Sequence, residues 1–396
     1  MLGLNKVLAV YVGPAGYAAI GNFQNAAQMI TTLASGAINT GVVKYTAEYH
    51  ADEEKQRQLW RTAGTLALAG SLVMGVLVAI FSKEIAVLFL HDESYSMVFI
   101  WFSVTLVFFI FNTLLLAILN GKKEISRYVS ANIIGSLVAL LVTSFLTIKF
   151  GLHGALTALA IFPSFAFVAT LYICYRAEWF KFSYIFGALD KVVLINLSKF
   201  AAMALVSVAC VPISHIFIRT YLGDTFGLAS AGYWEAMWRL SAAYLMLITT
   251  TLSLYYLPRL SELKDFAEIQ NEILQGYRII LPFAAMCGFA IYMLRDFIIS
   301  MLFTTEFFPM RDLFAWQMVG DTLKIGSWIL SYLMLGKAMI KLFILTEIFF
   351  SASFYGLAIL FTNALGLEGI SLAHAINYLA YWIFLGILMP KLLRES

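Results

Sequence analysis

The sequence predicts an all-α polytopic membrane protein, with about 12 transmembrane helices in two six-helix pseudo-repeated lobes around a central cavity. Three observations lead there: an apolar, charge-poor composition, a succession of long apolar runs, and a weak internal duplication. Of the 396 residues, 61% are hydrophobic and 12% charged, with mean hydropathy +0.85. Soluble domains carry about 25% charged residues, so half that density cannot cover a water-facing surface. The net charge of +3 gives no nucleic-acid signal.

A helix needs about 20 apolar residues to cross the hydrocarbon. Eleven segments meet this, at roughly 17–42, 62–82, 96–119, 128–149, 153–174, 195–221, 228–257, 279–303, 312–335, 341–363 and 369–390. A twelfth, before Gly13-Pro14, is only about 12 residues long and is expected to be a truncated first helix. No run of small residues after it marks a signal-peptide cleavage site. With the N-terminus placed inside, cytoplasmic loops and ends carry 18 of the 26 Lys and Arg residues, outer loops 5, and helices Lys6, Arg239 and Lys324. This bias predicts twelve spans with both termini in the cytoplasm. Two cytoplasmic links, Lys44–Arg61 and Arg259–Arg278, read either as interfacial helices or as solvated connectors.

The duplication is carried by four ordered matches. Ala15-Gly16-Tyr17 recurs as Ala231-Gly232-Tyr233, and Lys83-Glu84 as Arg295-Asp296. Gly121-Lys122 recurs as Gly336-Lys337, and Gly151-Leu152-His153-Gly154 as Gly366-Leu367-Glu368-Gly369. The offsets lie between 212 and 216 residues. Residues 1–190 are therefore expected to form an N-terminal lobe and 191–396 a C-terminal lobe. Six spans per repeat give both lobes one orientation, the architecture of a transporter working by alternating access.

Charges near the bilayer centre cost about 2.5–3.5 kcal/mol and are expected to face the protein interior. Glu235 and Arg239 stand four apart on one span, Asp321 and Lys324 three apart on another. Both spacings put the partners on one helical face. They read either as self-neutralised pairs or as Arg239 and Lys324 presented to an anionic phosphate. Lys6 lacks a local acidic partner and reads as a cavity cation or an interface residue. Glu347 either snorkels or binds a proton or cation that couples transport. His215, with Arg219 beyond it in the outer part of its span, and His374 are expected to be hydrogen-bonded membrane histidines, with His215 a coupling candidate. Asn25, Gln28, Thr32, Ser35 and Asn39 follow helical spacing and form either a helix seam or a wet wall for sugar hydroxyls. Pro163 and Pro212 are candidate kink sites.

No catalytic residue, cofactor or metal site is expected. Gly121-Lys122-Lys123 and Gly336-Lys337-Ala338 do not complete a phosphate-binding loop, and neither a nucleophile elbow nor a paired His–carboxylate metal motif occurs. Cys174, Cys210 and Cys287 read as apolar packing residues.

Gly13-Pro14-Ala15-Gly16, Leu197-Ser198-Lys199-Phe200, and Met310-Arg311-Asp312-Leu313-Phe314-Ala315-Trp316-Gln317 followed by Gly320-Asp321 resemble Wzx-type polysaccharide flippases. These belong to the multidrug/oligosaccharidyl-lipid/polysaccharide export superfamily. The likeness is to members acting in enterobacterial common antigen (lipid III) and O-antigen synthesis, within lipopolysaccharide and polysaccharide biosynthesis. It implies an oligosaccharide on undecaprenyl pyrophosphate, moved from the cytoplasmic to the periplasmic leaflet. It implies cavity cations for the pyrophosphate, matched here by Lys6, Arg239 and Lys324, and pathway partners such as a polymerase and chain-length proteins. Gln24 and Asn25 stand where some members carry a basic residue, and the family's full first helix implies that the start here is incomplete. A drug/cation antiporter of the same superfamily is the alternative. It would need a prominent carboxylate in the first lobe, where no span buries one. A membrane glycan polymerase or ligase would need a large outer loop, and every predicted outer loop is short.

Overall fold

A computed structural model describes residues 2–256, 259, 260, 263, 265–337 and 339–395. The side chains of Lys199 and Phe200 and residue Ala338, named above, lie outside the described set, as do Lys264 and the side chains of Lys391 and Arg394. Thirteen α-helices make up the described chain: α1 Leu2–Ala34, α2 Asn39–Glu48, α3 Glu53–Ile80, α4 Ser82–Leu90, α5 Ser96–Gly121, α6 Ile125–Tyr175, α7 Lys191–Phe226, α8 Leu228–Thr251, α9 Phe266–Met293, α10 Arg295–Leu302, α11 Phe314–Gly336, α12 Ile340–Leu365 and α13 Gly369–Glu395. No strand occurs among the described residues.

Six helical stretches among the described residues are long and apolar enough to cross a membrane, by length and composition alone. Two of them, Ile125–Tyr175 and Ile340–Pro390, run to 51 residues each, enough for two crossings. Three other long helices, α1, α8 and α11, fall outside that set. They are the helices on which the sequence places its polar stripe and its ionised pairs.

The 51-residue α6 is two helices joined at Gly151, whose φ of 56° and ψ of −134° are non-helical. Gly366, at the α12–α13 junction, adopts φ 71° and ψ −155°. Only glycine reaches this region without strain. The two glycines are the ones that the duplication aligns. The same holds for the helix starts at Glu124 and Met339, both at φ −78° and ψ 61°. The short helices α4 and α10 likewise follow long ones after a one-residue break, at Phe81 and Leu294. The repeat is thus legible in the backbone.

By contacts the chain divides into two compact units, residues 1–12 with 19–212, and residues 13–18 with 213–396. The sequence-based boundary after residue 190 falls at the start of α7, whose first part packs with the first unit and whose remainder packs with the second.

In the first unit α5 packs against α2, α3 and α6. Fully buried Phe23, Phe99 and Phe102 form an aromatic cluster, with Phe23 centroids 5.5 Å and 5.9 Å from the other two. The linker before α7 lies against α3, where Thr65 Oγ1 donates to the Gly187 carbonyl at 2.9 Å. At the loop end, Trp60 and Trp179 flank the Lys122 ammonium at 5.9 Å and 5.4 Å.

Helix starts follow their caps. Asp52 accepts from the Lys55 amide at 3.1 Å ahead of α3, with Glu53 and Glu54 in the first turn. Those backbone and side-chain bonds hold the Asp52 carboxyl below its ordinary range. Asp190 caps α7 through the Val192 and Val193 amides, and Asp265 caps α9 through Ala267 and Glu268.

Two expectations are corrected. The stripe Asn25, Gln28, Thr32, Ser35, Asn39 is not one helical face, because α1 ends at Ala34 and Asn39 opens α2. Gly36 and Ala37, at φ 64° and 54°, turn the chain between them. The link Arg259–Arg278 is not a separate interfacial helix over its C-terminal part: Ile269 and Ile273 lie within α9, which starts at Phe266. Within the Lys44–Arg61 link, residues 44–48 end α2 and residues 53–61 begin α3.

In the second unit α11 packs against α9, α12 and α13. Glycine permits the closest approaches: a Cβ at Gly320 would stand 2.4 Å from the His374 ring, and one at Gly326 2.8 Å from Trp382. Residues 13–18 pack within this unit too. The Pro14 carbonyl lies where a Gly232 Cβ would be, at 1.7 Å, and Tyr17 rests on Phe303 and Phe307.

Candidate functional site

The ionised groups at membrane depth in the second unit assemble into two neighbouring clusters. The first is centred on Glu235 of α8, which is buried. Its Oε1 accepts from Arg239 Nε at 2.8 Å, one turn along the same helix. Its Oε2 accepts from Arg219 Nη1 of α7 at 2.5 Å. The pair Glu235–Arg239 is therefore formed as its i,i+4 spacing predicts. The second guanidinium is a finding of the structure, because Arg219 stands 16 residues before Glu235 on another helix. Its signal was its position, four residues after His215 on one face of an apolar helix.

Two arginines on one carboxylate leave the triad with net charge +1. The guanidinium groups differ in access: the Arg219 side chain is 2% exposed and that of Arg239 16%. Arg219 lies over the Trp234 ring at 5.7 Å and Arg239 over Tyr17 at 5.4 Å, cation–π contacts that favour the charged forms. Arg219 thus anchors Glu235, while Arg239 is the more exposed of the two.

The second cluster is centred on Asp321 of α11, which is fully buried. Tyr244 of α8 donates to its Oδ2 at 2.8 Å, and Gln317 Nε2 to Oδ1 at 3.2 Å. His374 Nε2 of α13 stands 3.0 Å from Oδ1. Gln317 also donates to Ser241 Oγ at 3.3 Å. Asp321 and Lys324 share one face of α11, yet the carboxylate spends its hydrogen bonds on Tyr244, Gln317 and His374. The Lys324 ammonium lies instead among three rings, 4.3 Å from Trp238, 4.8 Å from Trp328 and 5.3 Å from Tyr378. The ammonium is thus caged by aromatic rings, with Asp321 near enough to act on it electrostatically. A buried ammonium needs its lost hydration replaced, and π-faces replace part of it.

His374 is the hydrogen-bonded membrane histidine the sequence led one to expect. The His215 ring instead meets Trp238 edge-on at 4.2 Å and Trp234 at 5.2 Å. Glu347 of α12 is half-buried and near enough to Lys324 to interact with it electrostatically.

The other expected residues belong to the first unit. Lys6 is half-buried on the first part of α1. Asn25 is half-buried and donates to the Pro212 carbonyl at 3.5 Å. Gln28 is exposed, and Thr32 and Asn39 are half-buried. Among the described residues no group of three or more His, Cys, Asp or Glu is placed to hold a metal.

The two clusters set three cations, Arg219, Arg239 and Lys324, against the carboxylates of Glu235 and Asp321 in aromatic surroundings. A family model for "polysaccharide biosynthesis protein" matches residues 3–264. The chain belongs to the polysaccharide biosynthesis protein family. It is 30% identical over 383 residues to the lipid III flippases of Escherichia coli K12 and Shigella flexneri, a match covering 96% of this chain and 91% of each relative. For this polysaccharide biosynthesis family member the solved structures point to one fold. An inward-facing multidrug resistance MATE family transporter of the MOP superfamily aligns with TM-score 0.80 and 18% identity, over all of this chain and 94% of that one. An outward-facing MATE family transporter aligns with TM-score 0.73 and 18% identity, over 99% and 92%. At such identity the likeness shows the fold alone. Together these findings give the chain its family, polysaccharide biosynthesis protein, and a helical fold shared with the two transporters.

Proposed function

We propose that the chain is a flippase that carries an oligosaccharide on undecaprenyl pyrophosphate from the cytoplasmic to the periplasmic leaflet of the bacterial inner membrane, with both termini in the cytoplasm. The carrying observation is the 30% identity over 96% of the chain to proteins named lipid III flippase. The triad supports it. A pyrophosphate needs fixed positive charge in a place sheltered from water, and Arg239 supplies a planar donor pair whose charge Glu235 does not fully cancel. Lys324 adds a second cation on the neighbouring helix.

In this reading Arg239 and Lys324 bind the pyrophosphate, and Lys6 is a further cation for it. Asn25, Gln28, Thr32 and Asn39 offer hydrogen bonds to sugar hydroxyls. The polar headgroup crosses beside these groups, because each unpaired polar group in hydrocarbon costs several kcal/mol, and the polyprenyl tail stays in lipid. Alternating access by the two duplicated units, the mode such repeats serve, moves it. A polymerase and chain-length proteins of the same pathway would receive the product.

Complementation tests the reading. Strains lacking a flippase for a defined glycan should regain surface glycan when they express this chain, for at least one of several glycans. Failure with every glycan, with the protein inserted, together with conferred drug resistance, would favour the antiporter alternative.

A further inference from the structure

In the second unit, α9 and α11 leave an open groove of about 430 Å³ between them. From its lining and the cation at its end we infer that this groove is a binding site for an anionic phospholipid of the surrounding bilayer. One acyl chain lies in the groove and the phosphate sits on Arg295.

Three observations carry it. The first is the lining. Ala285, Phe289 and Tyr292 follow helical spacing along α9, and Ala315, Val319 and Thr322 do so along α11. Phe289 and Val319 are exposed, and α9 is long and apolar enough to cross a membrane, so the groove opens on hydrocarbon. The Thr322 hydroxyl donates to the Met318 carbonyl at 3.0 Å and brings no unmet donor into the groove.

The second is size. At about 30 Å³ for a group the size of water, the groove takes roughly 14 methylene-sized groups, the order of one acyl chain. Its lining on α11 runs from Ala315 to Leu323, a rise of about 12 Å. That is less than half of the ~30 Å hydrocarbon core, so the groove serves one leaflet. In the orientation proposed above Arg295 lies at the periplasmic end, which makes this the outer leaflet. A polyprenyl chain, several times longer than an acyl chain, overruns it.

The third is the cation. Tyr292 lines the groove and also carries the Arg295 guanidinium over its ring, 4.3 Å from the centroid. Arg295 Nη1 donates to the Tyr292 carbonyl at 2.8 Å, which engages one of a guanidinium's five N–H donors. The adjacent Asp296 is held by Arg311 at 2.9 Å. In the aligned place of the first unit Lys83 is neutralised by Glu93 at 2.6 Å. Among the described residues no carboxylate forms such a pair with Arg295.

A half-buried guanidinium at the mouth of an apolar groove matches an amphiphile, with a planar fork of donors for the phosphate and a slot for the chain. A net-anionic headgroup is favoured over a zwitterionic one, whose ammonium repels Arg295. At about 100° per residue, α11 turns Ala315, Val319 and Thr322 to one side and Asp321 and Lys324 to the other. The bound lipid thus steadies α9 against the helix that holds the second cluster.

The test uses the full chain purified in detergent, with native mass spectrometry after equal additions of phosphatidylglycerol, phosphatidylethanolamine or undecaprenyl phosphate. Wild type should hold one phosphatidylglycerol about tenfold more tightly than phosphatidylethanolamine, the size of one charge-assisted hydrogen bond. Arg295→Gln should erase that preference, and Arg295→Lys should keep part of it. Ala285→Phe, which fills the groove from an exposed position, should weaken both phospholipids. Melting curves give a second readout and show that each variant is folded: phosphatidylglycerol should raise the melting temperature of wild type and leave that of Arg295→Gln unchanged. Equal retention of the two phospholipids by wild type overturns the inference, as does retention unaltered in Arg295→Gln and Ala285→Phe. Displacement of phosphatidylglycerol by an equal amount of undecaprenyl phosphate also overturns it, since the groove then belongs to a polyprenyl tail.

Discussion

Arg219 and Glu235 are joined at 2.5 Å across two helices, and the same carboxylate holds Arg239 on its other oxygen. Removing the carboxylate leaves two guanidinium groups without their counter-ion, one of them fully enclosed. Breaking a buried pair in this way costs about 3–5 kcal/mol. Glu235→Ala is therefore expected to lower thermal stability in detergent strongly, and Glu235→Gln less. Unfolding curves of purified protein measure this. A melting temperature unchanged in both variants would mean that the triad does not hold α7 to α8.

Arg239 is the more exposed arginine of the triad, so its loss should spare the fold. Arg239→Ala is expected to insert normally and to abolish surface glycan in the complementation strain, and Arg239→Lys to retain part of it, because an ammonium keeps the charge but not the planar donor pair. Immunoblotting for insertion and glycan display for function separate the two effects.

Three rings surround the Lys324 ammonium, Trp238 being nearest at 4.3 Å. A desolvated cation–π contact is worth about 2 kcal/mol. Trp238→Ala should therefore lower the melting temperature and Trp238→Phe should restore most of it. Lys324→Met, which removes the charge along with its need for the cage, should make Trp238→Ala milder in a double-mutant cycle.

Gly232 and Gly356 offer a steric contrast inside helices. A Cβ at Gly232 would meet the Pro14 carbonyl at 1.7 Å, while one at Gly356 would meet nothing within 4 Å. Gly232→Ala is expected to cost about 1–3 kcal/mol or more through overpacking. Gly356→Ala should be neutral or stabilising by up to about 1 kcal/mol. Folded yield by size-exclusion chromatography checks both.

Much of this fold is legible in apolar run length, since helix is the only segment-contained way to satisfy the backbone in lipid. The runs at 128–149 and 153–174 are recovered as the two parts of α6 on either side of Gly151. What the sequence hides is local turn chemistry and long-range pairing. Gly36 and Ala37 end α1 in the middle of a polar pattern that looks continuous, so Asn39 was assigned to the wrong helix. The pair Glu235–Arg239 was visible because its partners are four residues apart. Arg219–Glu235 and Asp321–His374 were not, because their separations of 16 and 53 residues leave no periodic trace. The aromatic cage escaped for another reason: tryptophans are ordinary in membrane helices, and only the packing of α8, α11 and α13 brings Trp238, Trp328 and Tyr378 around one ammonium.

The matched backbone of Gly151 and Gly366 has an evolutionary consequence. Both reversals rest on glycine and not on side-chain chemistry, so each copy could keep its scaffold while its membrane-depth residues drifted. The two units differ in what they carry. One carries mostly neutral amides and hydroxyls such as Asn22, Asn25 and Thr32, while the other has gathered two acid–base clusters into a single neighbourhood. Matching frames thus carry unlike chemistry, and the backbone breaks set by glycine place no demand on which side chains fill the helices between them.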